Sequence, residues 1–497
     1  MHRKGMKLLA WLLLAACALL TGAAAEEEPL YPIRKDGLWG YMNRAGETVI
    51  QPRWSAVYPF DGETALAVSH NASQLGERAG DTLIDRQGNE IIPPQPGLVI
   101  EEYPYAYRLR AAEGEGFYDK LSGFCLLPNA SFRAADLWGE DGKGPVAVEN
   151  EWGFTGYVDR RTGETVIPFR YSGESEMQCF RNGYALPAEE ITTYDENGEV
   201  ASIQIRYHLI DMTGREISFP EGVMPCGSPA FGRLAVARSE RIGSGEEAYE
   251  VWKEGLGRTD GTVITAPCYD VVRGPDEEGM VCILQRTEEG EFLCGHMDCE
   301  GRVIVPPRYR IPTDGALPGY SFQCGYALFE TDDLREGKSE NKRNVILSAD
   351  GREVFSFPVN GEDGRTYGFT RQARVMPGGL VWYAARNLQT SSEPDEKHTQ
   401  YGLIRIDEDH AAFLTEPVFE AFGGSLKEWG SGEEAFSDGL YPVRQNGKWG
   451  YIDEQGAYGI RPAFDEASPF REGLALVQNG DKLAYIDTAG RTVWQED

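Results

Sequence analysis

The residues best equipped for chemistry lie together at Cys294-Gly295-His296-Met297-Asp298-Cys299. Two thiols and an imidazole are zinc-ligand types. On an extended strand Cys294 and His296 share a face. No fourth ligand stands at a zinc spacing, so the expectation is no metal and no cofactor. A Cys294–Cys299 disulfide is a second reading, and a drifted structural segment is the third. The remaining cysteines beyond Cys17 are Cys125, Cys179, Cys226, Cys268, Cys282 and Cys324. An even set in an exported chain permits disulfides, but eight cysteines allow 105 pairings. Buried free thiols are at least as good a reading.

Other chemistry is thin. His70, His208, His296, His398 and His410 form no local pattern. The chain has no G-x-S-x-G, no H-E-x-x-H and no phosphate-cradling glycine loop. With 79 acidic residues, coincidental carboxylate pairs are assured and carry no signal for glycoside hydrolysis. The expectation is therefore no enzyme and no catalytic residue. Asp85, Asp211, Asp298, Asp453 and Asp487 each open an Asp-x-x-Gly turn. Calcium loops supply several oxygens within one loop. Each turn here supplies one recurrent Asp, placed where a turn wants it.

Charge narrows the partners. Lys+Arg number 48 against 79 Asp+Glu, a formal charge of −31. Nucleic-acid binding needs clustered cations and is not expected. Docking on an anionic bilayer is disfavoured in the same way. A hydrophobic content of 41% with 11% aromatics is enough for a folded core. Residues 1–25 read as a signal peptide: basic Arg3, Lys4 and Lys7, apolar Leu8 to Leu20, then Ala23-Ala24-Ala25. The expected address is extracellular or cell-envelope associated, with no transmembrane segment. Leu14-Ala15-Ala16-Cys17 offers a lipoprotein box as the minority alternative.

The elements that position these residues repeat along the chain. The clearest unit holds Tyr441-Pro442-Val443-Arg444-Gln445-Asn446-Gly447-Lys448-Trp449-Gly450-Tyr451-Ile452-Asp453, then Ile460-Arg461-Pro462-Ala463-Phe464. Tyr31-Pro32-Ile33-Arg34 and Trp39-Gly40-Tyr41-Met42-Asn43 repeat it, followed by Val49-Ile50-Gln51-Pro52-Arg53-Trp54. A third copy runs Trp152-Gly153, Tyr157-Val158-Asp159, then Val166-Ile167-Pro168-Phe169-Arg170-Tyr171. Degenerate copies fill the gaps. In that alignment Cys294 takes the place of Trp39, His296 that of Tyr41 and Cys299 that of Arg44, which favours the drifted-segment reading. The clearest repeats are 30–68, 150–187, 439–477 and 479–494.

Each unit reads as three short strands. Asn446-Gly447 signals a hairpin. Trp449-Gly450-Tyr451-Ile452 alternates sides, and the Pro of Val-Ile-x-Pro is expected to end pairing. Gly beside Trp permits a close backbone or ring approach. The expected fold is all-β: a tandem array of about eleven three-stranded antiparallel meanders, an open β-solenoid or propeller-like. Segments Ala237–Trp252, Thr331–Arg343 and Leu388–Gln400 interrupt the array and suit exposed loops.

These motifs resemble the bacterial WG-repeat family, of the KWG type. The resemblance covers most of 26–497. It implies an all-β repeat array in a bacterial, often exported protein, and no catalytic motif. Trp138, Trp252 and Trp429 fall outside the core motif and are the candidate ligand-binding residues. The expected function is non-enzymatic binding of a protein or cell-envelope polymer, with a cell-wall glycan-binding or glycan-acting module as the alternative.

Overall fold

The structure, a computed structural model, describes residues 28–70, 80–112, 114–129, 133–134, 141–173, 175, 177–242, 249–310, 321–331, 342–370, 374–387, 399–426 and 436–497. The signal segment 1–25, with Cys17, lies outside them. Strands and turns alternate through the described residues, with no helix among them. The fold is all-β, built from small antiparallel sheets.

Sequence dictates the unit directly. In the last complete Trp-Gly repeat, strands Tyr441–Gln445 and Lys448–Ile452 pair from Tyr441–Ile452 to Gln445–Lys448. Their turn places Asn446 and Gly447 at φ 53° and 75°. Two left-handed residues make the turn whose twist matches a hairpin, and Asn-Gly adopts it cheaply. Asp36-Gly37 does the same at the first repeat, with φ 54° and 78°.

Four-stranded sheets outnumber three-stranded ones among the described residues, which corrects the three-stranded meander. The added strand is the tail of the preceding unit. Glu466–Ala467 comes after the third strand Tyr458–Phe464 and pairs with Leu474–Asn479 of the next sheet. In the first unit the same strand, Thr48–Val57, pairs with Leu38–Met42 through Trp54 and with Thr64–Ser69 beyond it.

The third strand also departs from expectation at its proline. Pro462 and Pro52 do not end their strands. Each sits inside a wide bulge. Trp449 faces Phe464 while Tyr451 faces Ile460, so four positions of one strand oppose two of the other. The same step separates the Trp39–Trp54 and Tyr41–Ile50 pairs, and the Cys294–Tyr309 and His296–Val305 pairs. A proline lacks an N–H, and a bulge is where none is required. The bulged backbone folds over the glycine opposite. A Cβ on Gly450 would lie 2.5 Å from Pro462 N and 2.7 Å from Ile460 O. Gly40 and Gly295 meet the equivalent backbone atoms of Ile50–Pro52 and Val305–Pro307.

The Tyr beside that glycine locks the unit to the connection beyond its third strand. Tyr41, Tyr157 and Tyr451 are fully buried, and their hydroxyls donate to the carbonyls of Tyr58, Gln178 and Ser468, each at 2.8 Å. Their rings meet Phe60, Phe180 and Phe470 at centroid distances of 4.8, 5.0 and 4.8 Å.

Hydrophobic clusters straddle consecutive units. Trp449 and Tyr451 pack with Ala475, Val477 and Ile486 of the next unit. The series closes on itself: Leu474, Leu476, Leu483 and Tyr485 pack against Tyr31, Ile33 and Met42 at the start of the described chain. Arg34 Nε pairs with Glu496 Oε1 at 2.7 Å, and the Tyr31 hydroxyl donates to Glu472 O at 2.7 Å. The exposed side of this seam contributes little, since a partly solvated ion pair is worth about 1 kcal/mol or less. Burial of each large apolar side chain is worth about 1.5–3 kcal/mol and holds the seam. The sheets therefore form a propeller-like ring, and the open solenoid is set aside.

The first interruption is also corrected. The described parts of Ala237–Trp252 are strand, forming a long hairpin Arg233–Ile242 with Tyr249–Arg258.

Backbone fit at the bulge is the constraint to test. Gly450→Ala is expected to destabilise the chain by several kcal/mol, because backbone must move. Gly447→Ala, at a left-handed but open position, is expected to cost about 1–2 kcal/mol. Urea unfolding of both variants checks the order; equal losses would refute the close-approach account.

Candidate functional site

Two ribbons carry several of the exposed apolar side chains. Ala188–Tyr194 and Val200–Tyr207 pair with each other as a two-stranded sheet, and the base of the first strand also bridges Gly173 through Ala188. Thr192 faces Ile203 and Glu190 faces Ile205, so both isoleucines lie on one face. Tyr194, Val200 and Ile203 are 64%, 56% and 58% exposed. A two-stranded ribbon in water is marginal alone, and apolar residues are a poor choice for its solvated faces. The second ribbon is the distal half of the hairpin Arg233–Ile242 with Tyr249–Arg258. Trp252 opposes Ser239 there, and both Tyr249 and Trp252 are exposed.

Trp252 is thus placed at the surface, on a strand. Trp138 and Trp429 lie outside the described residues. Sequence reasoning missed Trp152, which is 75% exposed. Trp152-Gly153 is not the repeat's Trp-Gly pair. It sits in a turn where the Asn150 side-chain oxygen accepts N–H bonds from Trp152 and Phe154 at 3.0 and 2.9 Å. The strand is Thr155–Val158, with Thr155 at the Trp position and Gly156 as the repeat glycine. The spacing to Tyr157 was the signal, because Trp-Gly-Tyr is contiguous in the other strong copies. Trp54, Trp382 and Trp449 are core.

The thiol–imidazole segment resolves differently from its linear spacing. Cys294 and His296 share a face of strand Phe292–Asp298, as expected, and both are fully buried. Their third neighbour is Cys282, from the adjacent strand Met280–Arg286, directly opposite His296. The Cys282 and Cys294 sulfurs are 3.4 Å apart. Burial, then the hydrogen bond and charge of Cys282, push the Cys294 thiol well above its usual range. Cys299 is elsewhere: its Sγ donates to Gly279 O at 3.0 Å, and no Cys294–Cys299 bridge forms. All eight described cysteines are free thiols.

The Asp-x-x-Gly carboxylates are occupied by backbone. Asp453 Oδ1 accepts from the N–H groups of Gln455 and Ala457, both at 2.9 Å. Asp487 accepts from Ala489 and Arg491 at 3.0 and 2.9 Å, and the Arg491 N–H foremost holds its carboxyl below the usual range. This is turn geometry.

A cleft of about 850 Å³ is lined in part by Asp119, Ser122, Lys143, Arg160, Arg161 and Met212. Its floor is a buried Arg160–Asp119 ion pair, with Arg160 Nε donating to Gly144 O at 3.1 Å. Ser122 Oγ donates to Asp119 Oδ1 at 2.6 Å. Among the described lining residues the Ser122 hydroxyl is committed to Asp119, and there is no histidine or cysteine.

The WG containing repeat model matches residues 39–69, 156–186, 434–449 and 449–482. The first two matches begin at Trp39-Gly40 and Gly156-Tyr157, at or next to the bulge glycine. No curated protein matches the sequence. Among solved structures the chain is similar to dipeptidyl peptidase 4 of Porphyromonas gingivalis, at 11% identity and TM-score 0.39, covering 86% of this chain and 63% of that one. It is similar to the β-propeller domain of the Trilobed protease from Pyrococcus furiosus at 13% identity and TM-score 0.25, covering 62% and 94%. BamB from Moraxella catarrhalis is similar at 12% identity and TM-score 0.24, covering 67% and 93%. At these scores no functional argument passes to this chain. No helix of the described residues is long and apolar enough to cross a membrane.

Surface and core tryptophans should separate in stability. Trp152→Ala and Trp252→Ala are expected to change unfolding free energy by about 0.5 kcal/mol or less. Trp54→Ala and Trp449→Ala are expected to cost about 3–5 kcal/mol. Equilibrium denaturation of the four variants checks this. In sequence and in strand register alike, the chain carries WG repeats at the four matched regions.

Proposed function

We propose that this chain is an exported, non-enzymatic binding protein whose ring presents the two ribbons to a protein partner. The observation that carries this reading is the exposed apolar face of the ribbon Ala188–Tyr194 with Val200–Tyr207, bearing Ile203 and Ile205. A partner covering that face removes apolar area from water at about 25 cal/mol per Å². Beyond Ala188 and Glu190, which already bond Gly173 and Ser172, the ribbon edge adds backbone donors and acceptors for strand addition.

Finer features belong to the same proposal. About eleven repeat units, of the bacterial KWG type, make up the ring. Residues 1–25 direct export, and the mature chain works outside the cytoplasm or at the envelope. Its acidic surface keeps it soluble there and favours partners with a cationic face.

Exposed Trp152 and Trp252 favour the second reading, in which aromatic rings stack on the sugars of a wall polymer. One experiment separates the two. A photo-crosslinking residue at position 194 or 252 is placed in the full chain expressed in its own cells. The protein reading expects a discrete crosslinked protein band, lost in Ile203→Glu/Ile205→Lys while near-ultraviolet circular dichroism is unchanged. Saturable pelleting with purified wall polymer, competed by soluble wall fragments and lost in Trp252→Ala, would instead select the glycan reading.

A further inference from the structure

We infer that Cys282, Cys294 and His296 form a zinc site between two neighbouring strands of one sheet. The three donor atoms already lie within 4.8 Å of one another. A zinc–sulfur bond of about 2.3 Å sets a tetrahedral sulfur–sulfur edge of about 3.8 Å. The observed 3.4 Å separation needs only a small opening.

The repeat itself argues for a ligand set. In the three clearest units the position of His296 is Tyr41, Tyr157 or Tyr451, and that of Cys294 is Trp39, Thr155 or Trp449. The position of Cys282, opposite the tyrosine, is Pro32, Ala147 or Pro442. One unit has thus exchanged three adjoining positions, on two strands, for three metal-ligating residues. The backbone around them is unchanged. Gly295 still faces the Val305–Pro307 bulge, and Phe322 still meets the His296 ring, at 4.9 Å, as Phe60 meets Tyr41. A thiol is smaller than an indole, and the three donor atoms it joins converge on one point.

Charge selects the ion. Cys294 and His296 are fully buried, so an uncompensated charge is costly there. Two thiolates with a divalent cation sum to zero, and a monovalent cation would leave a net negative charge. Binding releases the two thiol protons and changes no oxidation state: two S–H bonds break and two S–Zn bonds form. Water, entering beside the partly exposed Cys282, completes four-coordination.

The test uses the full chain, reduced and stripped with chelator, titrated with Co(II) and then Zn(II). One Co(II) per chain is expected, with a thiolate-to-cobalt band in the near ultraviolet that Zn(II) abolishes. Two variants keep residues that other units already carry, so they should fold: Cys282→Ala and His296→Tyr. Each is expected to lose the band and to weaken Zn(II) binding by at least about 100-fold, with near-ultraviolet circular dichroism unchanged. His208→Gln, whose imidazole lies between Glu189 and Glu216, should leave the band intact. Absence of the band, its persistence in both variants, or a Cys282–Cys294 disulfide that survives reduction would overturn the site.

Discussion

The close approach of a glycine to the bulged strand opposite it is the contact on which the architecture rests. At Gly450 the space for a side chain is filled by the backbone of Ile460–Pro462. The bulge that causes this bends the third strand, and the bend delivers its tail to the next sheet as an added strand. A flat third strand would keep its tail in its own sheet and leave the next one without a first strand. The Tyr beside the glycine then binds a carbonyl in the connection after the bulge, as Tyr451 binds Ser468 O. Local sterics therefore set how one unit is joined to the next.

Repetition of that joint accounts for the ring. Each unit leaves an apolar face that its neighbour covers, so a linear stack would end on two wet faces. Here the last face, with Leu476 and Tyr485, meets the first, with Tyr31 and Ile33. Closure removes both exposed faces at once. It also ties residues more than four hundred positions apart, as Arg34 and Glu496 show. A contact of such sequence separation forms late and depends on all the intervening units having the right joint.

Much of this is legible in the residues. Trp-Gly-Tyr-Ile-Asp marks the central strand, Asn-Gly its hairpin and Asp-x-x-Gly the turn after it, because each needs a particular backbone geometry. The illegible parts have causes in the same physics. Pro462 reads as a strand end until the bulge is seen, since pairing and bulging place the same demand on a missing N–H. Trp152-Gly153 reads as a repeat pair when residue type is weighed above spacing to Tyr157. Ala237–Trp252 reads as a loop because its side chains are polar, yet a solvated ribbon is polar too. Cys282 is invisible as a partner of His296 in the linear sequence, because only strand register brings them opposite each other.

Chemistry in such a ring arises where the joint is kept and its side chains are exchanged. At the Tyr position His296 keeps the ring contact, meeting Phe322 at 4.9 Å as Tyr41 meets Phe60 at 4.8 Å. The Trp position holds Cys294 or Thr155 in other units, and in the Thr155 unit Phe169 lies over the repeat glycine Gly156. Insertions face a different constraint. They enter at hairpin tips, where lengthening two paired strands leaves the joint untouched. The ribbons at 188–207 and 233–258 extend this way, and the described residues of their distal strands escape the core's demand for buried apolar residues. Exposed Ile203 and Trp252 are therefore not required by the ring's own packing.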